Sequence, residues 1–122
     1  MARSLILIAA LLMLGCSDRM HFDPAGLEPG HLPLVREAAE VVNADTGATI
    51  SIAPGGPSSF EYRDLPGRDG WFECDYDRCL IVFDPSLSDW YVAQIARHEL
   101  GHVAGLRHVC DESSYMHDPG SC

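Results

Sequence analysis

Within the stretch HELGHVAGLRH, His98, Glu99, His102, Gly105 and His108 stand at spacings that suit one divalent cation. On an α-helix, positions four apart share a face about one turn apart, so His98 and His102 can grip the same ion. Glu99 is rotated by roughly 100° from His98. It is poorly placed to complete that tetrahedron and well placed to take a proton from water beside the ion. Gly105 can adopt a positive φ at no steric cost, end the helix and turn the chain back. His108 then arrives as a third imidazole. Three protein ligands with a fourth position left to water is the pattern of a catalytic Zn2+ site, whereas structural sites are closed by four. A solvated helix face with incidental histidines accounts for His98 and His102, but not for Gly105 and His108 at these offsets.

These residues need a helix with one buried and one open face. A helix opening at Ser86 or Ser88 and running to about Ala104 supplies it. Val92, Ala96, Leu100 and Val103 fall on the arc opposite His98 and His102, an ordinary core stripe. The uninterrupted apolar run Leu80-Ile81-Val82-Phe83 reads as a strand of a sheet interior. Trp71–Glu73, Phe60–Tyr62 and the alternating Thr49–Ala53 read as shorter strands, with turns at Pro54–Pro57 and Gly67–Gly70. Leu34–Asn43 reads as an N-terminal helix with a broad apolar face, ended by Gly47. The expected fold is α+β: a small mixed β-sheet with an N-terminal helix on one side of the order and a zinc-binding active-site helix after it.

Residues 1–15 read as a signal peptide, with Arg3 followed by the apolar run Leu5–Leu14, which is too short to span a bilayer comfortably. Leu14-Gly15-Cys16 resembles the lipobox of bacterial lipoproteins. That likeness implies a lipid-anchored protein of the bacterial cell envelope, attached through Cys16, with Ser17 pointing to the outer membrane. Ordinary cleavage nearby, leaving a secreted soluble protein, is the other reading. Residues 16–33 are rich in proline and glycine and lack an apolar period, so they are expected to be a tether, with His21 and His31 solvated in it. Residues 34–122 then form one domain. The net charge is −10 and lysine is absent. That balance excludes nucleic acid as a natural partner.

With Cys16 assigned to lipid, Cys74, Cys79, Cys110 and Cys122 remain, an even number that implies disulfides in an exported domain. Three connectivities exist. Cys74–Cys79 with Cys110–Cys122 is favoured because each pair closes a short local loop. A four-cysteine zinc site is the competing arrangement, disfavoured in an oxidising compartment. His117 and Tyr91 lie where they could reach the cleft, although His117 reads more readily as a polar loop residue and simple packing explains Tyr91 at least as well. Asp75 and Asp77 are too few for a calcium site.

ARHELGHVAGLRH resembles the zinc signature of the metzincin metallopeptidases, closest to its matrixin version. Ser114-Tyr115-Met116-His117 stands where that family has its methionine-containing turn and resembles the turn as astacins write it. The likeness covers about residues 34–118, with its specific residues in 98–116. It implies a zinc-dependent endopeptidase acting on proteins or peptides as a monomer. His98, His102 and His108 would be the zinc ligands, Glu99 the general base and Met116 the apolar floor. An extended substrate would lie along a sheet edge above the metal. The chain departs from the pattern in three places. Asp118 stands where astacins place a tyrosine, and Val109 matches no subfamily marker. Only six residues follow Met116, so the C-terminal subdomain is expected to be truncated, with Cys110–Cys122 standing in for its wall. The competing functions are a non-catalytic zinc-binding envelope lipoprotein and a structural envelope protein with incidental histidines.

Overall fold

The computed structural model describes residues 18–122; the expected signal peptide and Cys16 lie outside the described residues. The architecture is α+β, with two helices and two small sheets. Helix α1 spans Leu32–Thr46 and α2 spans Asp89–Val103. The strands are β1 (His21–Phe22), β2 (Ser51–Ile52), β3 (Ser59–Tyr62), β4 (Gly70–Cys74) and β5 (Cys79–Phe83). β1 and β2 pair in parallel. The other three are ordered β3-β5-β4, with β3 parallel and β4 antiparallel to β5. The expected single mixed sheet is therefore a three-stranded mixed sheet and a separate parallel pair. Among the described residues no helix is long and apolar enough to cross a membrane.

The central place of β5 follows from its composition. Ile81, Val82 and Phe83 are buried, as a strand covered on both faces requires. Phe60 of β3 joins the sheet to the β1–β2 pair, its ring stacked on Phe83 at 6.3 Å and tilted against Phe22 at 5.0 Å between centroids. α2 lays Val92, Ala96, Leu100 and Val103 into this core, all buried, as the periodicity predicts. α1 packs along α2 through Val35, Ala38, Ala39 and Val42. It begins two residues earlier than expected because Pro33 sits in the first turn, where its missing N–H is not needed. Gly47 ends it at φ 74°, donating to the Asn43 carbonyl. The Asn43 side chain then clasps Ile50 through both its backbone groups, at 2.8 and 2.9 Å.

The segment expected to be a tether corrects the sequence reading. Of residues 16–33, those from 18 onward are built into the domain. Phe22 is completely buried, Leu27 is buried, and β1 pairs with β2. The backbone continues that pairing, with Ala53 N–H donating to Phe22 O at 3.0 Å and Ser58 N–H to His21 O at 3.0 Å. His31 is buried rather than solvated. Its ring lies 2.7 Å from the Tyr62 hydroxyl and 3.2 Å from Asp89 Oδ1, tying the segment to β3 and to the start of α2. The cause of the misreading is physical. Leu27 follows the 3-10 turn at Pro24–Gly26 and His31 closes the one at Pro29–His31, so the buried side chains come at irregular intervals, and neither a 3.6 nor a 2.0 period records them.

Both disulfides form with the favoured pairing, Cys74–Cys79 and Cys110–Cys122. The first closes the β4–β5 hairpin, whose ends also pair through Asp75 N–H and the Arg78 carbonyl at 2.8 Å. The second closes the loop that follows the last histidine of the cluster.

Candidate metal centre

Helix α2 ends in a Schellman motif. Gly105, at φ 96°, donates to His102 O, and Leu106 N–H reaches back to Gly101 O, each at 2.9 Å. Only a residue without a Cβ adopts this conformation freely. The chain reverses and carries His108 back over the open face of α2. His98, His102 and His108 are the one group among the described residues with ligand atoms close enough to share a metal ion. Their Nε2 atoms are 3.1 Å (His98–His108), 3.2 Å (His98–His102) and 3.0 Å (His102–His108) apart.

The other ring nitrogens decide what these short separations mean. His98 Nδ1 lies 2.8 Å from Tyr115 O, and His102 Nδ1 lies 2.9 Å from Leu106 O. His108 Nδ1 lies 3.1 Å from Asp118 Oδ2. Carbonyl oxygens only accept, so neutral His98 and His102 carry their protons on Nδ1; the carboxylate beside His108 Nδ1 is a charge contact, not an aligned hydrogen bond, and favours the same tautomer there. Three Nε2 lone pairs then point at one another, an arrangement that repels unless a cation sits among them. Tetrahedral bonds of 2.0–2.1 Å to zinc separate ligand nitrogens by about 3.3 Å, close to the distances observed. The residues fit a divalent cation, and imidazole is a suitable ligand for several. Burial, reinforced by the two neighbouring imidazoles, holds His102 below the ordinary histidine range, which favours the neutral ligating form.

Glu99 leaves the ligand set, as its rotation predicts, and is buried. Burial pushes its carboxyl up to about 7, against the pull of the Arg68 guanidinium. Compared with known proteins, the sequence matches no protein-family model and no curated protein. The site's chemistry therefore rests on its geometry.

Two cavities meet along His98 and Glu99. One, of about 320 Å³, is walled by Gly70, Trp71 and Phe72 of β4 together with the three histidines. The other, of about 480 Å³, is lined by Gln94, Ile95, Glu112, Tyr115 and His117 among others. Arg68 and Gly70 border both. Arg68 is placed by its own neighbour, lying 5.1 Å from the Trp71 ring centroid. β4 is an edge of its sheet, and Phe72 stacks on the His102 ring at 4.8 Å. A larger cavity of about 500 Å³, lined by Asp18, His21, Ser51 and Asp77 among others, contains none of these residues.

Met116 is buried. It packs on α2 at Gly101, where a Cβ would come within 2.5 Å of Met116 Sδ. The turn is fastened to the segment after His108, since Val109 N–H donates to Met116 O at 3.0 Å and Asp118 N–H to Val109 O at 2.9 Å. Of the lesser candidates, His117 lines the second cavity. Tyr91 does not reach either; it lines a separate cavity with Asp69, Ser86 and Ser88. Asp75 and Asp77 belong to no metal-holding group among the described residues.

Three contributors escaped the sequence reading. Gly101 and Gly70 are close-approach glycines: at Gly70 a Cβ would meet Ile95 Cγ2 at 2.3 Å and Glu99 Oε1 at 3.4 Å. Their only sequence signal is a glycine inside a helix and one opening a strand, where it otherwise weakens the element. Asp118, noted only as a departure from a family pattern, touches a metal-ligand candidate.

Proposed function

We propose that this chain is a metzincin-like zinc metalloendopeptidase that hydrolyses peptide bonds of proteins or peptides at the bacterial cell envelope, lipid-anchored through Cys16. The observation that carries the reading is the convergence of three Nε2 lone pairs beside a buried carboxylate under a sheet edge. His98, His102 and His108 would hold Zn2+, and three ligands leave room for water. A zinc ion in such a site supplies Lewis acidity, which acidifies water and polarises a carbonyl oxygen.

The rest is done by the chain. Glu99 sits one residue from His98, shielded from solvent, with its proton affinity raised toward neutrality. A carboxylate so tuned takes a proton from water and passes it to the leaving amine. The free edge of β4 offers main-chain donors and acceptors to an extended peptide, which would thread between the two cavities. Trp71 and Phe72 present an aromatic wall on one side of Glu99, and Gln94, Glu112 and His117 present a polar one on the other.

The test is cleavage of an unstructured protein by wild type and Glu99→Ala, with zinc stoichiometry measured on both. Retained zinc with a loss of about 10²–10⁴-fold in turnover is expected for removal of a general base. Equal turnover by the two proteins overturns the mechanism. Zinc bound tightly by wild type with no turnover on any peptide library leaves the non-catalytic binding module.

A further inference from the structure

We propose that Asp118 is a positioning residue for the metal centre: its carboxylate orients His108 and sets how tightly the three histidines hold a divalent cation. The inference rests on the reading of the histidine cluster as a metal site.

The three ligand candidates are held by unlike means. His98 and His102 are oriented by main-chain carbonyls, those of Tyr115 and Leu106. Both also emerge from a helix whose back is sealed in the core, and Phe72 stacks on His102. His108 has none of this. It lies beyond the helix, its side chain is 42 % exposed, and its Nδ1 partner is a side chain, Asp118 Oδ2 at 3.1 Å. It is therefore the one ligand whose direction depends on a replaceable group.

Asp118 is itself held for this task. Its N–H donates to Val109 O at 2.9 Å. Its Oδ1 accepts from Gly120 N–H at 3.1 Å, which leaves Oδ2 for His108. The surrounding loop is closed by Cys110–Cys122. With both partners this exposed, the pair contributes little as a salt bridge. Its effect lies in what it excludes. A carboxylate beside Nδ1 disfavours both the tautomer with its proton on Nε2 and the ring flip that turns Nε2 away.

The experiment measures Zn2+ and Co2+ affinity of the full chain by competition with a chelator. Asp118→Ala and Asp118→Asn are each made in the wild-type and His108→Ala backgrounds, so that coupling to His108 is read directly. Asp118→Ala is expected to weaken binding by about 10–100-fold when His108 is present and to have no effect when it is absent. The Co2+ absorption spectrum should change with it. Asp118→Asn keeps Oδ1 as the acceptor for Gly120 but turns a donor NH2 toward His108 Nδ1, so it loses the acceptor as well as the charge, and a loss comparable to that of Asp118→Ala is expected, again confined to the His108 background. If Asp118→Ala fails to fold, the asparagine pair decides alone. Equal losses in both backgrounds would make Asp118 a general structural residue and overturn the proposal. Unchanged affinity in both variants beside a tightly binding wild type overturns it too, with the metal site left standing. A wild type that binds neither cation overturns both readings.

Discussion

Half of the candidate metal centre is built on a helix and half on a loop, and different forces hold the two. His98, Glu99 and His102 project from α2, whose opposite face buries Val92, Ala96 and Leu100 completely. Their placement follows from burying that stripe, which is worth about 1.5–3 kcal/mol for each large side chain. His108, Met116 and Asp118 stand on the segment after Gly105, where Val109 and Arg107 are exposed and Met116 is the buried anchor. There the constraints are a Schellman turn, a two-residue bridge and a disulfide. The comparison separates stability from function: damage to the helix half should unfold the domain, while damage to the loop half should loosen the metal first.

The sharpest way to break this contrast is Leu100→Ala. It empties a fully buried position directly behind the ligands. A loss of about 2–5 kcal/mol in unfolding free energy is expected, measurable by denaturant titration, with the metal lost only as the protein unfolds. Metal loss from an otherwise folded protein would show that the helix half is held by something other than its core face.

Next in size is removal of the loop's covalent tie. Replacing Cys110 and Cys122 by serine should cost up to about 3 kcal/mol by loop-closure entropy. The loss should be seen chiefly as weaker metal binding. The corresponding change at Cys74 and Cys79 is expected to cost less, because a paired hairpin already constrains that turn. Thermal unfolding with and without a chelator distinguishes the two; equal effects on metal retention would erase the distinction between hairpin and loop.

The smallest predicted effect joins the halves. Gly101→Ala places a Cβ 2.5 Å from Met116 Sδ, an overpacking that costs about 1–3 kcal/mol. Higher helix propensity returns roughly 1 kcal/mol of that. The expected outcome is a small fall in melting temperature with a clear fall in metal affinity, since Met116 carries with it the Tyr115 carbonyl that orients His98. Unchanged affinity would mean that the turn does not position the ligand.

The legibility of the chain divides along the same line. The back stripe of α2, the glycine stops at Gly47 and Gly105, the buried strand Leu80–Phe83 and the convergence of the three histidines obey local rules, and all appear in the structure. The segment before α1 does not, because Phe22 and His31 reach the core from a two-residue strand and a short 3-10 turn, too brief to carry a period. The close approaches at Gly70 and Gly101 were equally hidden, since a glycine in the chain does not announce which neighbour presses on it.

Helical periodicity and one left-handed glycine are enough to name which side chains can share a cation, for both act within a few residues. They do not say that three Nε2 lone pairs face one another, that Glu99 is largely buried beneath a strand edge where two cavities meet, or that Asp118 backs His108. Those facts depend on where a returning loop and an edge strand lie against α2, and the contacts that place them join residues distant along the chain.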